Sequence, residues 1–189
     1  LPTESLTFKP FTTADTTLAN LTGAVQTLAG VGAKNIMVVN LPTLGKLPRT
    51  LGTADSQRLN DLTEEHNLGL AQNLNRLRQN LGPTVNLLSL DINTVFEQIV
   101  ANPGQFNYKN ATAPCLLNPA CTNPDEFFFW DQIHPTTAGH RQIGELAYSV
   151  LTKPAERVPE PGSGVGILAF GVLGTVAVLK RKQQKIKAS

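Results

Sequence analysis

Asp131 and His134 are separated by two residues in the run Asp125-Glu126-Phe127-Phe128-Phe129-Trp130-Asp131-Gln132-Ile133-His134-Pro135-Thr136. An imidazole that works as a base near neutral pH needs its tautomer fixed and its protonated form stabilised. A carboxylate on Nδ1 does both. An Asp three residues before the His can turn back to make that contact if the two share a tight loop. Pro135 favours an extended backbone at His134 and a helix start after it. The four aromatics ahead of Asp131 can bury the back of the pair and exclude water. The same spacing also suits an Asp131 that caps a turn beside a surface His134, or half of a metal site. No second ligand cluster accompanies it, so neither a metal nor another cofactor is expected. The other two His fall in helical stretches. His66 is expected to face solvent on a long helix, and His140 to stabilise the last one.

The elements that must position this pair can be read from hydrophobic spacing. Residues 16–31 place Leu18, Leu21, Ala24, Val25 and Leu28 at helical intervals, and Gly30 and Gly32 stop the helix. Ile36-Met37-Val38-Val39 is a continuous apolar run, the pattern of a strand buried on both faces. Leu41 to Gly52 reads as loop. A long helix follows over Ser56–Leu81, with Asp55 or Ser56 at its N-cap, and Gly82-Pro83 breaks it. Val85–Leu90 is a second strand with Asp91 at its C-terminal end. Asn93–Ala101 reads as helix, Asn102–Asp125 as loop, and Thr136–Leu151 as a last helix. Strands alternating with helices indicate an α/β fold with a parallel sheet. Two strands make a small sheet with two open edges, so further strands are expected upstream of Leu1.

Cys115 and Cys121 are the only cysteines among 189 residues and lie in a Pro- and Asn-rich loop. They suit a local disulfide in an oxidising compartment, or, less well, two ligands of a zinc site. The net charge of +2 hides a split. Lys180, Arg181, Lys182, Lys185 and Lys187 carry five of the cations. Residues 1–179 hold 11 basic against 14 acidic residues, a net charge of −3. A body of that sign is not expected to bind nucleic acid. The basic end follows 18 residues without a charge, Gly162–Leu179, which span about 27 Å as a helix, near the thickness of a bilayer core. Cationic flanks stay cytoplasmic, so the body is expected outside.

Two resemblances follow from these residues. Pro159-Glu160-Pro161, the apolar span and the basic end starting at Lys180-Arg181-Lys182 resemble the PEP-CTERM sorting signal of Gram-negative bacteria. The resemblance implies recognition by an exosortase-type sorting enzyme and an envelope or extracellular destination. Phe129-Trp130-Asp131-Gln132-Ile133-His134-Pro135-Thr136 resembles the last signature block of the SGNH or GDSL hydrolases, in the plant-type and thermolabile-haemolysin branch. Gly32-Ala33-Lys34-Asn35-Ile36-Met37-Val38-Val39-Asn40-Leu41-Pro42-Thr43-Leu44-Gly45 is similar to an upstream strand and loop of that branch. His66-Asn67, the strand ending at Asp91, Asn102-Pro103 and the Cys-containing loop follow in the family's order.

The second resemblance implies a three-layer α/β/α fold and ester hydrolysis, with His134 as base and Asp131 as its orienter. The family's nucleophilic Ser and its oxyanion-hole donors come from earlier blocks with no counterpart here. Asp55-Ser56 is the only Asp-Ser pair, but Ala54 precedes it and it stands at a helix start. The chain is therefore expected to be the C-terminal part of an esterase, with the N-terminal strands and the nucleophile outside it. The expected organisation is a partial hydrolase domain over 1–154, a linker over 155–161, a transmembrane helix over 162–179 and a cytoplasmic tail over 180–189. Expected partners are the membrane, the sorting enzyme and an ester substrate: a lipid, a short acyl ester or an acylated polysaccharide. A non-catalytic envelope-associated binding protein on a degenerate hydrolase scaffold is the alternative.

Overall fold

The chain forms two parallel strand pairs and four α-helices among the described residues. The structure, a computed structural model, describes residues 13–152. The Pro-Glu-Pro motif, the apolar span and the basic tail lie outside the described residues. In chain order the elements are α1 (Asp15–Gly30), β1 (Asn35–Val39), α2 (Ser56–Leu81), β2 (Asn86–Leu90), α3 (Ile92–Ala101), β3 (Asn110–Pro114), β4 (Phe127–Phe129) and α4 (Thr137–Thr152). β1 pairs in parallel with β2, from Asn35 opposite Asn86 to Val39 opposite Leu90. β3 pairs in parallel with β4. This is an α/β fold with parallel strands, as the alternation of elements implied. Among the described residues no helix is long and apolar enough to cross a membrane.

Helix α2 shows why the sequence folds this way. Its buried residues are Thr63, His66, Leu70, Leu74 and Leu77, spaced by three or four along one face. Leu70, Leu74 and Leu77 pack with Val25 of α1, Ile36 and Val38 of β1 and Leu87 of β2 in one core cluster. Each such side chain contributes roughly 1.5–3 kcal/mol on burial. The helix starts after Asp55, whose carboxylate takes Arg58 rather than a backbone N–H. Gly45 lets the preceding loop lie directly on this start. A Cβ there would fall 2.0 Å from the Ser56 carbonyl oxygen.

His66 departs from expectation: it is buried, not solvated. Counting back four residues from Leu70 puts it on the same apolar face. The Thr17 hydroxyl gives its one proton to the Ala14 carbonyl at 2.8 Å. The His66 Nδ1–H, 3.0 Å from the Thr17 Oγ1, is therefore the donor of that contact. Burial lowers the His66 pKa and keeps the ring neutral in the fold. As pH falls below about 6.5 the unfolded chain binds this proton first. Stability from this group is thus complete above that pH and is lost as pH falls toward the lowered folded value. Urea midpoints at pH 7.5 and pH 5.0 should differ more in the wild type than in His66→Gln. An equal drop in both would refute the assignment.

The region read as loop and aromatic run holds two more strands. β3 is Asn-Ala-Thr-Ala-Pro, a sequence with little strand character. Within it Asn110 Oδ1 accepts the backbone N–H groups of Thr112 at 2.9 Å and Ala113 at 2.7 Å, a local turn that competes with ladder pairing and accompanies the irregular register. The irregular register, Asn110 opposite Phe127 but Pro114 opposite Phe129, absorbs the surplus residues. In β4 all three Phe are buried, so no period-two alternation betrays the strand. Phe128 and Phe129 join Phe96 and Ile99 of α3, Tyr108 and Ala111 in a second core cluster. A disulfide joins Cys115 to Cys121 within the segment connecting β3 to β4.

Candidate active site

Asp131 and His134 sit on the tight turn between β4 and α4. Three backbone contacts build that turn. Cys115 donates its N–H to the Phe129 carbonyl at 3.0 Å, Trp130 donates to the His134 carbonyl at 2.8 Å, and Thr136 donates to the Phe128 carbonyl at 2.9 Å. Inside it, Asp131 Oδ1 accepts from the backbone N–H of Ile133 at 2.8 Å and of His134 at 2.7 Å. The His134 ring then reaches the same carboxylate, with Nδ1 2.8 Å from Oδ2 and 3.1 Å from Oδ1. The Asp131 side chain therefore both caps the turn and binds the imidazole; the two roles weighed separately in the sequence coexist.

The electrostatics follow from those contacts. The His134 backbone N–H, then that of Ile133, then the His134 ring hold the Asp131 carboxyl at about 2. It is an acceptor-only carboxylate at any pH near neutrality, so Nδ1 carries the ring proton. The Nε2 lone pair is left free to accept a proton, and Nε2 makes no hydrogen bond among the described residues. His134 is largely exposed and Asp131 about one-third exposed, with side chains at 70% and 35%. Phe127, Phe128 and Phe129 are buried behind the pair, whereas Trp130 stands half out of the protein.

Sequence reasoning missed the residues that lock the turn to the scaffold. Thr136 is buried, and its hydroxyl donates to the Phe127 carbonyl at 2.8 Å while accepting the Gly139 N–H at 3.2 Å. It thereby caps α4 and fastens it to β4. Gly139 lies so close to β4 that a Cβ would fall 2.8 Å from the Pro135 Cβ and 2.9 Å from the Phe128 carbonyl oxygen. Gly139→Ala should push α4 and Pro135 off β4. The expected cost is about 1–3 kcal/mol, seen as a lower thermal midpoint, together with a longer Asp131–His134 contact. An unchanged midpoint would contradict this packing.

Across the C-terminal end of β1 and β2 a second network holds the loop that faces the turn. Asn40 Oδ1 accepts the first N–H groups of α3, from Ile92 at 2.9 Å and Asn93 at 3.1 Å. Its amide donates to Asp91 at 2.7 Å. Asp91 caps α3 through the Thr94 N–H. Partial burial pulls its pKa up, but the hydrogen bonds from Thr94, Asn40 and Asn93 outweigh it and leave it lowered. Asn67 clamps Leu41 through both its amide atoms, at 2.9 Å and 2.8 Å. Arg49 of the same loop donates its N–H to the Gln132 carbonyl at 3.0 Å, tying the loop to the Asp131–His134 turn. Such a paired Asn and Asp at the ends of neighbouring strands was visible in the sequence only as two strand stops.

The Ser56 hydroxyl donates to the Thr50 carbonyl and so braces the turn before α2. His140 is exposed on α4 and donates its N–H to the Thr136 carbonyl. Among the described residues no three His, Cys, Asp or Glu side chains converge as metal ligands, and both cysteines are held in the disulfide.

The sequence pattern described as GDSL-like Lipase/Acylhydrolase matches residues 5–147. The chain belongs to that family. Among curated GDSL esterase/lipases of Arabidopsis thaliana, EXL2 is 32% identical over 142 residues, covering 65% of this chain and 37% of that protein. Another is 30% identical over 146 residues, 67% of this chain and 44% of that protein. An uncharacterized protein of the trpE-trpG intergenic region of Pseudomonas putida is 31% identical over 153 residues, 73% of this chain and 25% of that protein. The GDSL chain thus spans between a quarter and under half the length of these relatives.

Proposed function

We propose that this GDSL-family protein is a carboxylic-ester hydrolase in which His134 is the general base and Asp131 fixes its tautomer. The observation that carries the reading is the 2.8 Å contact between Nδ1 and an Asp131 carboxylate held ionised by two backbone N–H groups. In this mechanism His134 Nε2 takes the proton of a Ser hydroxyl as it attacks the ester carbonyl. Asp131 stabilises the imidazolium, and Nε2 then returns the proton to the leaving alcohol. The Ser and the oxyanion donors belong to a segment that precedes this chain in the whole protein. Members named as esterase/lipases among the relatives support the reaction class. The plant-type branch is supported by Phe129-Trp130-Asp131 and Asn40-Leu41-Pro42.

The reading extends to the address. Residues 1–154 form the hydrolase part, 155–161 a linker, 162–179 a membrane span and 180–189 a cytoplasmic tail. Pro159-Glu160-Pro161, the uncharged span and the cationic end support export with sorting by an exosortase-type enzyme, with the body outside. An ester of a lipid, a short acid or an acylated polysaccharide would be met there.

Hydrolysis of p-nitrophenyl butyrate tests the reaction. The full-length protein should turn it over, and the 189-residue chain alone should not. Each missing oxyanion donor removes roughly 3–4 kcal/mol of transition-state stabilisation, and the attacking hydroxyl is missing as well. Turnover by the 189-residue chain that His134→Ala abolishes would overturn the assignment of the nucleophile to another segment.

A further inference from the structure

At the N-terminal end of β4, away from Asp131 and His134, lies a polar cavity of about 390 Å³. Tyr108 is set in its wall. That residue is 4% exposed, and its ring stands edge-on to Phe128 at 5.5 Å. Its hydroxyl makes no hydrogen bond among the described residues, and the charged groups that face it are Arg141, Asp125 and Glu145. All three line the same cavity, so the polar end of a buried ring points into it. A buried hydroxyl without a partner asks what supplies one. Burial raises the Tyr108 pKa, Arg141 opposes the rise, and Asp125 and Glu145 add to it. The phenol therefore keeps its proton and can both donate and accept. The wall around it is fixed by the backbone. Tyr108 donates its N–H to the Pro103 carbonyl at 3.0 Å, and Lys109 donates to the Glu126 carbonyl at 2.7 Å.

The lining decides what chemistry fits. Glu126 is engaged by Lys109 at 2.8 Å, which leaves the carboxylates of Asp125 and Glu145 beside the guanidinium of Arg141. A phosphate or carboxylate ligand would meet two like charges. A hydrocarbon would strip water from three ions and return no hydrogen bond. Among the described residues no three His, Cys, Asp or Glu side chains converge as metal ligands. An ammonium would be repelled by Arg141 and could accept nothing from it. Neutral hydroxyls use every group present: the two carboxylates accept from them, Arg141 and the Gln142 amide donate to them, and Tyr108 does either. Phe106, partly buried against the second core cluster, adds an apolar wall for ring C–H groups. We propose that this cavity binds a neutral saccharide, at a site separate from the Asp131–His134 turn. At the packing density of a protein interior, 390 Å³ accommodates about two sugar rings. Binding there requires no ester chemistry, so the site stands whether or not the turn hydrolyses esters.

The test is calorimetric titration of the full-length protein with neutral trisaccharides of glucose, mannose, galactose and N-acetylglucosamine. At least one should bind. Tyr108→Phe, which removes only the hydroxyl, should weaken that binding by about threefold to tenfold. Arg141→Ala, at an exposed position on α4, should weaken it by roughly tenfold or more, because a charged donor is lost. Thermal midpoints and p-nitrophenyl butyrate turnover of both variants should match the wild type. Binding of none of the trisaccharides would overturn the proposal. So would binding that both variants leave intact, since the sugar would then sit elsewhere. Binding of spermidine in place of any sugar would overturn it in favour of a cationic ligand. Ester turnover that falls in both variants, with the fold unchanged, would overturn the separation of the two sites. Sugar binding that depends on Tyr108 and Arg141 in a protein that cleaves no ester would sustain the saccharide site and count against the hydrolase alone.

Discussion

Asp131→Asn in the full-length protein should lower kcat for ester hydrolysis by about 10⁴-fold while leaving the turn folded. The separation of the two effects comes from how the carboxylate divides its work. Oδ1 accepts the Ile133 and His134 backbone N–H groups, and Oδ2 accepts the His134 ring. An Asn side chain keeps the carbonyl oxygen that the two backbone donors require. It puts an NH₂ where Oδ2 stood, and an NH₂ can only donate. Nδ1 must then present its lone pair, the proton moves to Nε2, and the base has lost the site that accepts a proton. His134→Ala should fall to a similar rate, because both variants remove the same function. Asp131→Ala should differ from both by also lowering the thermal midpoint, since it abandons the two backbone donors. Rates measured on p-nitrophenyl butyrate, beside thermal unfolding of each variant, check this. An Asn variant within tenfold of wild type would mean that His134 does not act as the base through this tautomer.

The pH profile follows the same logic. Asp131 is held at about 2, and its depressed value makes its contribution to the turn complete above the unfolded value near 3.9 and lost as pH falls toward 2. Loss of activity between pH 5 and 7 therefore cannot be assigned to Asp131.

Much of the architecture was legible because burial leaves a period in the sequence. The 26 residues of α2 run from Ser56 to Leu81, as the spacing of Leu70, Leu74 and Leu77 and the stop at Gly82-Pro83 implied. β1 and β2 were legible as apolar runs, but the expectation that β1 is buried on both faces was wrong: only Ile36 and Val38 of β1 and Leu87 and Leu90 of β2 are buried, and Val39 is exposed. β3 and β4 were not legible, for opposite reasons. Asn110–Pro114 has neither β-branched residues beyond Thr112 nor alternation, and it is a strand through its pairing with β4. Phe127–Phe129 is too short and too uniformly buried to show a period. His66 was misread because a titratable residue on a helix was given to solvent, whereas its position relative to Leu70 gives it to the core. For the site, the Asp-x-x-His spacing carried the contact between the two side chains. Thr136 and Gly139 carry it equally in space, but a buried hydroxyl and a close helix approach leave no mark in spacing.

Phe129→Ala should remove about 3–5 kcal/mol of stability, about a fifth or more of the roughly 5–15 kcal/mol that a domain commonly has. Phe129 is 1% exposed and is among the largest fully buried side chains. Its ring meets Phe128 edge-on at 4.9 Å and Phe96 at 6.0 Å. Truncation loses the transfer of the ring from water, and β3, α3 and the turn cannot close on the cavity because each is fixed by backbone contacts. Cys115 donates to the Phe129 carbonyl, and Pro135 bridges Phe129 across the turn. Trp130→Ala removes a larger ring from the next position, yet Trp130 is 42% exposed, so its cost should stay below about 2 kcal/mol on the area it buries. Urea unfolding of the two variants of the full-length protein decides the matter, and equal losses would mean that the aromatic run is not packed in this order. The larger loss should also reach the chemistry. Phe129 stands two residues before Asp131, and the bridge to Pro135 closes the same turn from its far side. A cavity beneath the turn frees Asp131 and His134 to part, so the Phe129 variant should lose hydrolysis even at temperatures where it remains folded.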